Sequence, residues 1–138
     1  MELMNDFIKK DRFASMLGIE LIEVSQGYAK TKLEITTHHL NGLDMVHGAA
    51  LFSLADVAFA IASNSYGIPA VAIHISTSYL KAAKEGTLYA EAKEISKSAK
   101  LANYDITVTN DQGEKIAIFQ CMAYCKDNTS KFLQKENI

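Results

Sequence analysis

Between Gly48 and Leu80 the sequence holds one formally charged side chain, Asp56, inside the run HGAALFSLADVAFAIASN. From Ala49 to Ala62 that run is crowded with alanine and other good helix formers and is apolar almost all round, which predicts a helix buried by its own fold. An isolated carboxylate is costly in such a place, because a helix that satisfies its own backbone has no donors to spare in mid-span. Asp is also a mediocre residue for a helix interior. Two readings stand. In one, Asp56 points to solvent or pairs with a neighbouring lysine. In the other, its environment shifts its pKa and it works as a general base or nucleophile.

His47-Gly48 stands where this helix should begin, about two turns before Asp56. A backbone N–H at a helix start is an unsatisfied donor backed by the positive end of the helix dipole, so the Gly48 amide can polarise a carbonyl and hold a developing oxyanion. Taken alone, Gly48 also reads as a helix start that needs a flexible residue. Taken with Asp56, an amide and a carboxylate sharing one cleft is the expectation. Asn41, in the loop upstream, offers a carboxamide for a carboxylate, a water or a carbonyl, or forms an ordinary Asn-Gly turn. His47 reads equally as a site residue or as a structural residue at the helix start. His38, His39 and His74 lack metal-ligand spacing, and Cys-x-x-Cys, His-Glu-x-x-His and a glycine-rich phosphate loop are missing, so no metal is expected. Ser53 and Ser63 lie in no G-x-S-x-G pattern, which argues against a serine hydrolase.

The segments around the helix must position it. Residues 2–17 hold Phe7, Ile8, Phe13, Met16 and Leu17 at roughly helical spacing and predict a short amphipathic helix or turn. IELIEV and YAKTKLEIT, split by Gly27, alternate with period two as an antiparallel hairpin does. Residues 38–46 read as a loop. AVAIHISTSYL, TLYAEAKEIS, KLANYDITVTN and EKIAIFQCMAYC read as four further strands, the last two joined at Asn110-Asp111-Gln112-Gly113. In the last strand Ala117, Phe119, Cys121, Ala123 and Cys125 share a face, and its mostly small side chains let an alanine-rich helix come close. Cys121 and Cys125 lie ~13 Å apart on that face and cannot bridge each other, so they read as reduced core thiols. The class is α+β, an antiparallel sheet with one central helix over about 47–64.

The 138 residues fit a single domain, 1–138, with its core over about 13–125 and a polar tail, 127–138, in which Phe132 and Leu133 could dock as a short helix. With 49% hydrophobic and 22% charged residues the chain can bury one real core. A net charge of -2 lacks the basic face that nucleic acid requires. The opening MELMNDFIKK interleaves charge throughout, and Asp56, Asn64, Gly67 and Pro69 break the apolar runs, so the expectation is a cytoplasmic protein without a membrane partner.

NGLDMVHGAALFSLADVAFAIASNS resembles the signature of the hotdog-fold acyl-CoA thioesterases, in particular the phenylacetate-degradation PaaI group: an Asn in the loop, His-Gly-Gly at the helix start and Leu-Ala-Asp within it. The strand order fits as well, over about Phe13 to Cys125. The chain departs at Ala49, where the group has its second glycine, and at Tyr79-Leu80-Lys81-Ala82-Ala83, which lacks the group's proline. The resemblance implies a hotdog fold, a curved antiparallel sheet of about six strands wrapped around the helix. It further implies a homodimer or dimer of dimers, with acyl-CoA hydrolysed at the subunit interface and no cofactor beyond the coenzyme A of the substrate. Asp56 would be the catalytic carboxylate, the Gly48 amide would polarise the thioester carbonyl, and Asn41 and His47 would match the orienting polar positions. Lys81, Lys84, Lys97 and Lys100, near strand ends, could meet the coenzyme's phosphates or be solvated surface lysines. Two rival readings keep the fold: an acyl-CoA-binding sensor without turnover, kept alive by Ala49, and an acyl thioester dehydratase or hydratase, which would need His39 or His74 in the site.

Overall fold

A computed structural model describes residues 2–126; the expectation that Phe132 and Leu133 dock as a helix lies outside them. Where the sequence suggests one N-terminal amphipathic segment there are two short helices, α1 (Glu2–Lys9) and α2 (Arg12–Leu17). The break is chemical. Asp11 caps α2 by accepting the Ala14 N–H at 3.0 Å, and Gly18 closes it in the left-handed conformation, with φ 85. The hairpin β1 (Glu20–Ser25) and β2 (Tyr28–Glu34) follows, then a turn of 3-10 helix over Thr37–His39 that runs into the segment read as loop. The apolar run is one 17-residue helix, α3 (Gly48–Asn64). The remaining strands are β3 (Ala70–Tyr79), β4 (Thr87–Lys97), β5 (Leu101–Thr109) and β6 (Lys115–Cys125).

All strand pairs are antiparallel, in the order β1-β2-β4-β5-β6-β3, so the strand that directly follows the helix lies at one edge of the sheet. Register shifts at Leu21/Glu23, Ala72/His74 and Glu94/Ser96 insert bulges, which increase the twist and curl the sheet around α3. Its inner face is floored with Ala29, Ala90, Ala92, Ala102, Ala117 and Ala123, all fully buried. Small side chains there let Leu54, Ala55, Ala58, Ile61 and Ala62 of α3 approach the strands closely. The Thr31 hydroxyl donates to the Leu54 carbonyl at 3.2 Å, and Tyr104 packs edge-on against Phe59 at 5.6 Å. Cys121 and Cys125 are buried free thiols, as their spacing requires. Among the described residues no helix is long and apolar enough to cross a membrane.

The far end of α3 is tied to β3 by buried Asn64. Its Nδ2 donates to the Ala60 carbonyl at 2.8 Å and to the Ala70 carbonyl at 3.2 Å, while its Oδ1 accepts the Ala70 N–H at 3.0 Å. Truncation would leave buried backbone groups at Ala70 without partners. Asn64→Ala should therefore lose about 2–3 kcal/mol of stability, read as a lower urea midpoint with unchanged slope. A loss under about 0.5 kcal/mol would show that the clamp does not hold the helix end.

Candidate active site

Gly48, Phe52, Asp56 and Ala60 follow at four-residue steps and form one partly exposed stripe along α3, on the side that borders β6 and the edge strand β3. Phe52 is 36% exposed, and Asp56 and Ala60 are half-buried, whereas Leu54, Ala55, Ala58 and Ile61 are covered. Among the described residues no side chain or backbone group hydrogen-bonds Asp56 and no cation pairs with it. The lysine partner that would make it ordinary is therefore missing. Its nearest electrostatic influence has the same sign. Burial, and after it the charge of Asp11, holds the Asp56 carboxyl above its ordinary value. Cys121 lies on the sheet beside it and is inert: burial first, then Asp56 and Asp105, push its thiol up to about 12.

The start of α3 isolates one donor. His47 caps the helix, its Nδ1 accepting the Ala49 N–H at 2.9 Å, and its carbonyl accepts the N–H groups of Ala50 and Leu51 at 2.9 and 3.2 Å. The Gly48 N–H is left without an acceptor among the described residues. Gly48 opens on a cleft of about 320 Å³ whose walls include Asn41, Leu51, Tyr79, Lys81 and Ala83. Asn41 is already half spent: its Oδ1 accepts the N–H groups of Leu43 and Met45 at 2.9 and 3.1 Å, pinning a loop that turns through Asp44 at φ 57. Only its Nδ2 is available to the cleft, as a donor. His47 faces elsewhere, into a smaller pocket of about 170 Å³ shared with Phe13 and Leu17 of α2. It shapes the site as the helix cap.

Asp56 does not line the Gly48 cleft. The two share a stripe, as the spacing predicts, but lie about 12 Å apart along the axis, so a single copy does not bring amide and carboxylate into one cleft. The lysines are separated too. Lys81 follows the end of β3 and pairs with Glu114, while Lys97 and Lys100 flank the β4–β5 turn at the Ala70 end of the sheet, about 30 Å away. Lys97 Nζ sits 5.0 Å from the centre of the Tyr66 ring, Lys84 and Lys100 are exposed, and none of these three lines the cleft. His39 is buried with both nitrogens engaged, Nδ1 accepting the Thr36 N–H at 3.0 Å and Nε2 donating to the Leu17 carbonyl at 2.7 Å. His74 faces the outer side of the sheet, in a hollow with Ser96, Asn103 and Gln120. Neither histidine is placed as a dehydratase would need.

Tyr79 and Asp11 are the neighbours that spacing does not reveal. Tyr79 reaches Gly48 because the β3–β6 register sets it opposite Ala117, and Asp11 reads locally as a helix cap. Its local signature gives no hint of its closeness to Asp56.

Residues 43–117, more than half of the chain, match the thioesterase superfamily. A putative esterase of Archaeoglobus fulgidus is 42% identical over 125 residues, 89% of this chain and 81% of that protein. The acyl-coenzyme A thioesterase PaaI of Escherichia coli is 38% identical over 113 residues, 81% of each chain. The solved structure of the E. coli PaaI protein from the phenylacetic acid degradation operon superposes with a TM-score of 0.84 at 33% identity, covering 91% of this chain and 93% of that one. A mutant of the phenylacetic acid degradation protein PaaI from Thermus thermophilus gives 0.78 at 32% identity, covering 81% and 96%. With its six-stranded sheet curled around α3, the chain belongs to the thioesterase superfamily as a hotdog-fold protein similar to PaaI.

Proposed function

We propose that the protein is an acyl-CoA thioesterase, in which the Gly48 N–H of one copy and Asp56 of a second act on the same thioester. The observation that carries this is Asp56 itself, half-buried, without a hydrogen-bond partner or cation among the described residues, and influenced by another carboxylate. Nothing in the packing of α3 accounts for a carboxylate there. Chemistry does.

In this reading the thioester carbonyl oxygen accepts the free Gly48 N–H, which stabilises the negative charge that develops on it. Asp56 takes a proton from a water as the water oxygen bonds to the acyl carbon. The tetrahedral adduct collapses with cleavage of the C–S bond, the sulfur leaves as coenzyme A thiolate, and a proton restores the thiol. The products are a carboxylic acid and coenzyme A. Asn41 Nδ2 is placed to orient an acceptor in the same cleft, and no further cofactor is required.

Two features support a site shared between copies. Asp56 and Gly48 lie too far apart along one helix to meet a single carbonyl. β3 is also a ten-residue edge strand whose apolar first half leaves Val71 47% and Ile73 54% exposed, an unpaired edge of the kind that proteins cover. Antiparallel pairing of two β3 strands would continue the sheet through a dimer. It would also bring Lys81 of one copy against the Ala70 end of the other, where Lys97 and Lys100 lie as candidates for the coenzyme phosphates. Dimers of dimers would repeat this unit.

Asp56→Asn should keep the fold and coenzyme binding while kcat falls ~10²–10⁴-fold in a thiol-release assay; an unchanged rate removes Asp56 from the reaction, and absent turnover in wild type with binding retained favours a sensor. Because the base must be ionised, kcat/KM should rise with pH through a limb lying above the ~3.9 of an ordinary aspartate. Stability has the opposite sign. A carboxyl raised in the folded state binds more protons there than in the unfolded chain, so its contribution is complete below the unfolded value and is lost as pH rises through the folded one. Asp56→Asn should therefore melt higher than wild type at neutral pH, with the gain vanishing in acid. A lower melting temperature across the whole range would contradict the burial argument. Specific activity should fall on dilution in step with dissociation seen by sedimentation, and an equally active monomer would rule out the shared site.

A further inference from the structure

Three aromatic rings form a brace around the first turn of α3. The Tyr79 hydroxyl donates to the Gly48 carbonyl at 3.2 Å. Tyr79 meets Phe119 of β6 edge-on at 6.4 Å and 87°, and Phe119 meets Phe52 edge-on at 5.9 Å and 77°. Phe52 lies one turn after Gly48 on the same helix, so the chain of contacts closes on itself. The fit at position 48 is close: a Cβ there would lie 3.3 Å from Tyr79 Cζ and 3.4 Å from its Oη, so the ring would have to give by a few tenths of an ångström. Gly48 has no positive φ, so the close approach of Tyr79 is what favours glycine there. Tyr79 is 54% exposed, far more than a core packing role would leave it, and it borders the cleft beside Asn41 and Lys81.

We propose that Tyr79 is a positioning residue for the thioester carbonyl: its hydroxyl and ring hold the Gly48–Ala49 peptide, and with it the backbone of Gly48, so that the unpaired N–H of the preceding peptide faces the cleft, and its exposed side walls the group bound there. This rests on the thioesterase reading above. A hydroxyl on the Gly48 carbonyl fixes the orientation of the first helical turn without occupying the N–H. Preorganisation of that donor matters because an oxyanion hole stabilises charge only where its donor already points. The hydroxyl should therefore act mainly on kcat, and the ring on both kcat and KM.

The test compares full-length Tyr79→Phe and Tyr79→Leu with wild type, using initial rates of thiol release, urea melts and the ¹H–¹⁵N amide spectrum. Tyr79→Phe should lower kcat about 3–10-fold with KM within about twofold, the scale of one lost hydrogen bond. Tyr79→Leu should lower kcat by about 100-fold and raise KM, so that phenylalanine partly rescues what leucine loses. The Gly48 and Ala49 amide resonances should move in Tyr79→Phe, while those of Gly18 and Gly113 stay in place. Wild-type kcat and KM in both variants would overturn the proposal, and so would activity lost only in proportion to unfolded protein. If wild type releases no thiol from any acyl-CoA, the thioesterase reading fails by itself. The Gly48 resonance then decides the positioning role, and no movement in Tyr79→Phe overturns it.

Discussion

An α-helix with apolar side chains on nearly every face has no stable place in water, and one sheet can cover only part of its circumference. The rest of this structure answers that constraint. Alanines floor the inner sheet face so that α3 can lie close, bulges between the strands curl the sheet around it, and α1 and α2 pack on it from outside the sheet. Coverage runs out along the stripe of Gly48, Phe52, Asp56 and Ala60. The candidate site lies where the fold stops burying its own helix, next to an edge strand that is itself uncovered.

Within that strip the polar groups divide by what they have already spent. His47 gives Nδ1 to the Ala49 amide, and Asn41 gives Oδ1 to two loop amides. Both build the rim and hold it rigid. The Gly48 N–H and the Asp56 carboxylate have no such partner among the described residues. One is a donor at the positive end of a helix, and the other a carboxylate kept above its ordinary pKa by burial and by Asp11. Groups left unsatisfied in this way cost stability, and proteins keep them where binding or catalysis uses them.

The sequence makes α3 legible because a long alanine-rich run has one natural fate, and period-two alternation reveals the strands. It makes Asp56 and Gly48 legible because a lone charge and a helix-start glycine violate local rules. What it hides depends on register and distance. Tyr79 meets Gly48 only through the β3–β6 pairing, and the Asp11 cap acts on Asp56 only because α2 packs against α3. His39 is one of the two histidines a dehydratase could draw on, yet both its nitrogens are taken by the backbone of Thr36 and Leu17. The separation of Lys81 from Lys97 and Lys100 is equally invisible, since all three stand near strand ends and only the sheet order says which end.

The most direct test of a site shared between copies is complementation by mixed chains. Gly48→Pro removes the donor while keeping a residue suited to the first helical position, His47 already has the extended backbone that precedes proline well, and the added ring asks the exposed Tyr79 side chain to yield by a few tenths of an ångström. Asp56→Asn removes the base. Each variant alone should be nearly inactive. After co-refolding, mixed dimers contain one site with both groups intact, and about a quarter of wild-type activity should return, the share expected from random pairing. Activity that stays at the level of the separate variants, in a sample shown by mass to contain mixed dimers, would contradict the shared site.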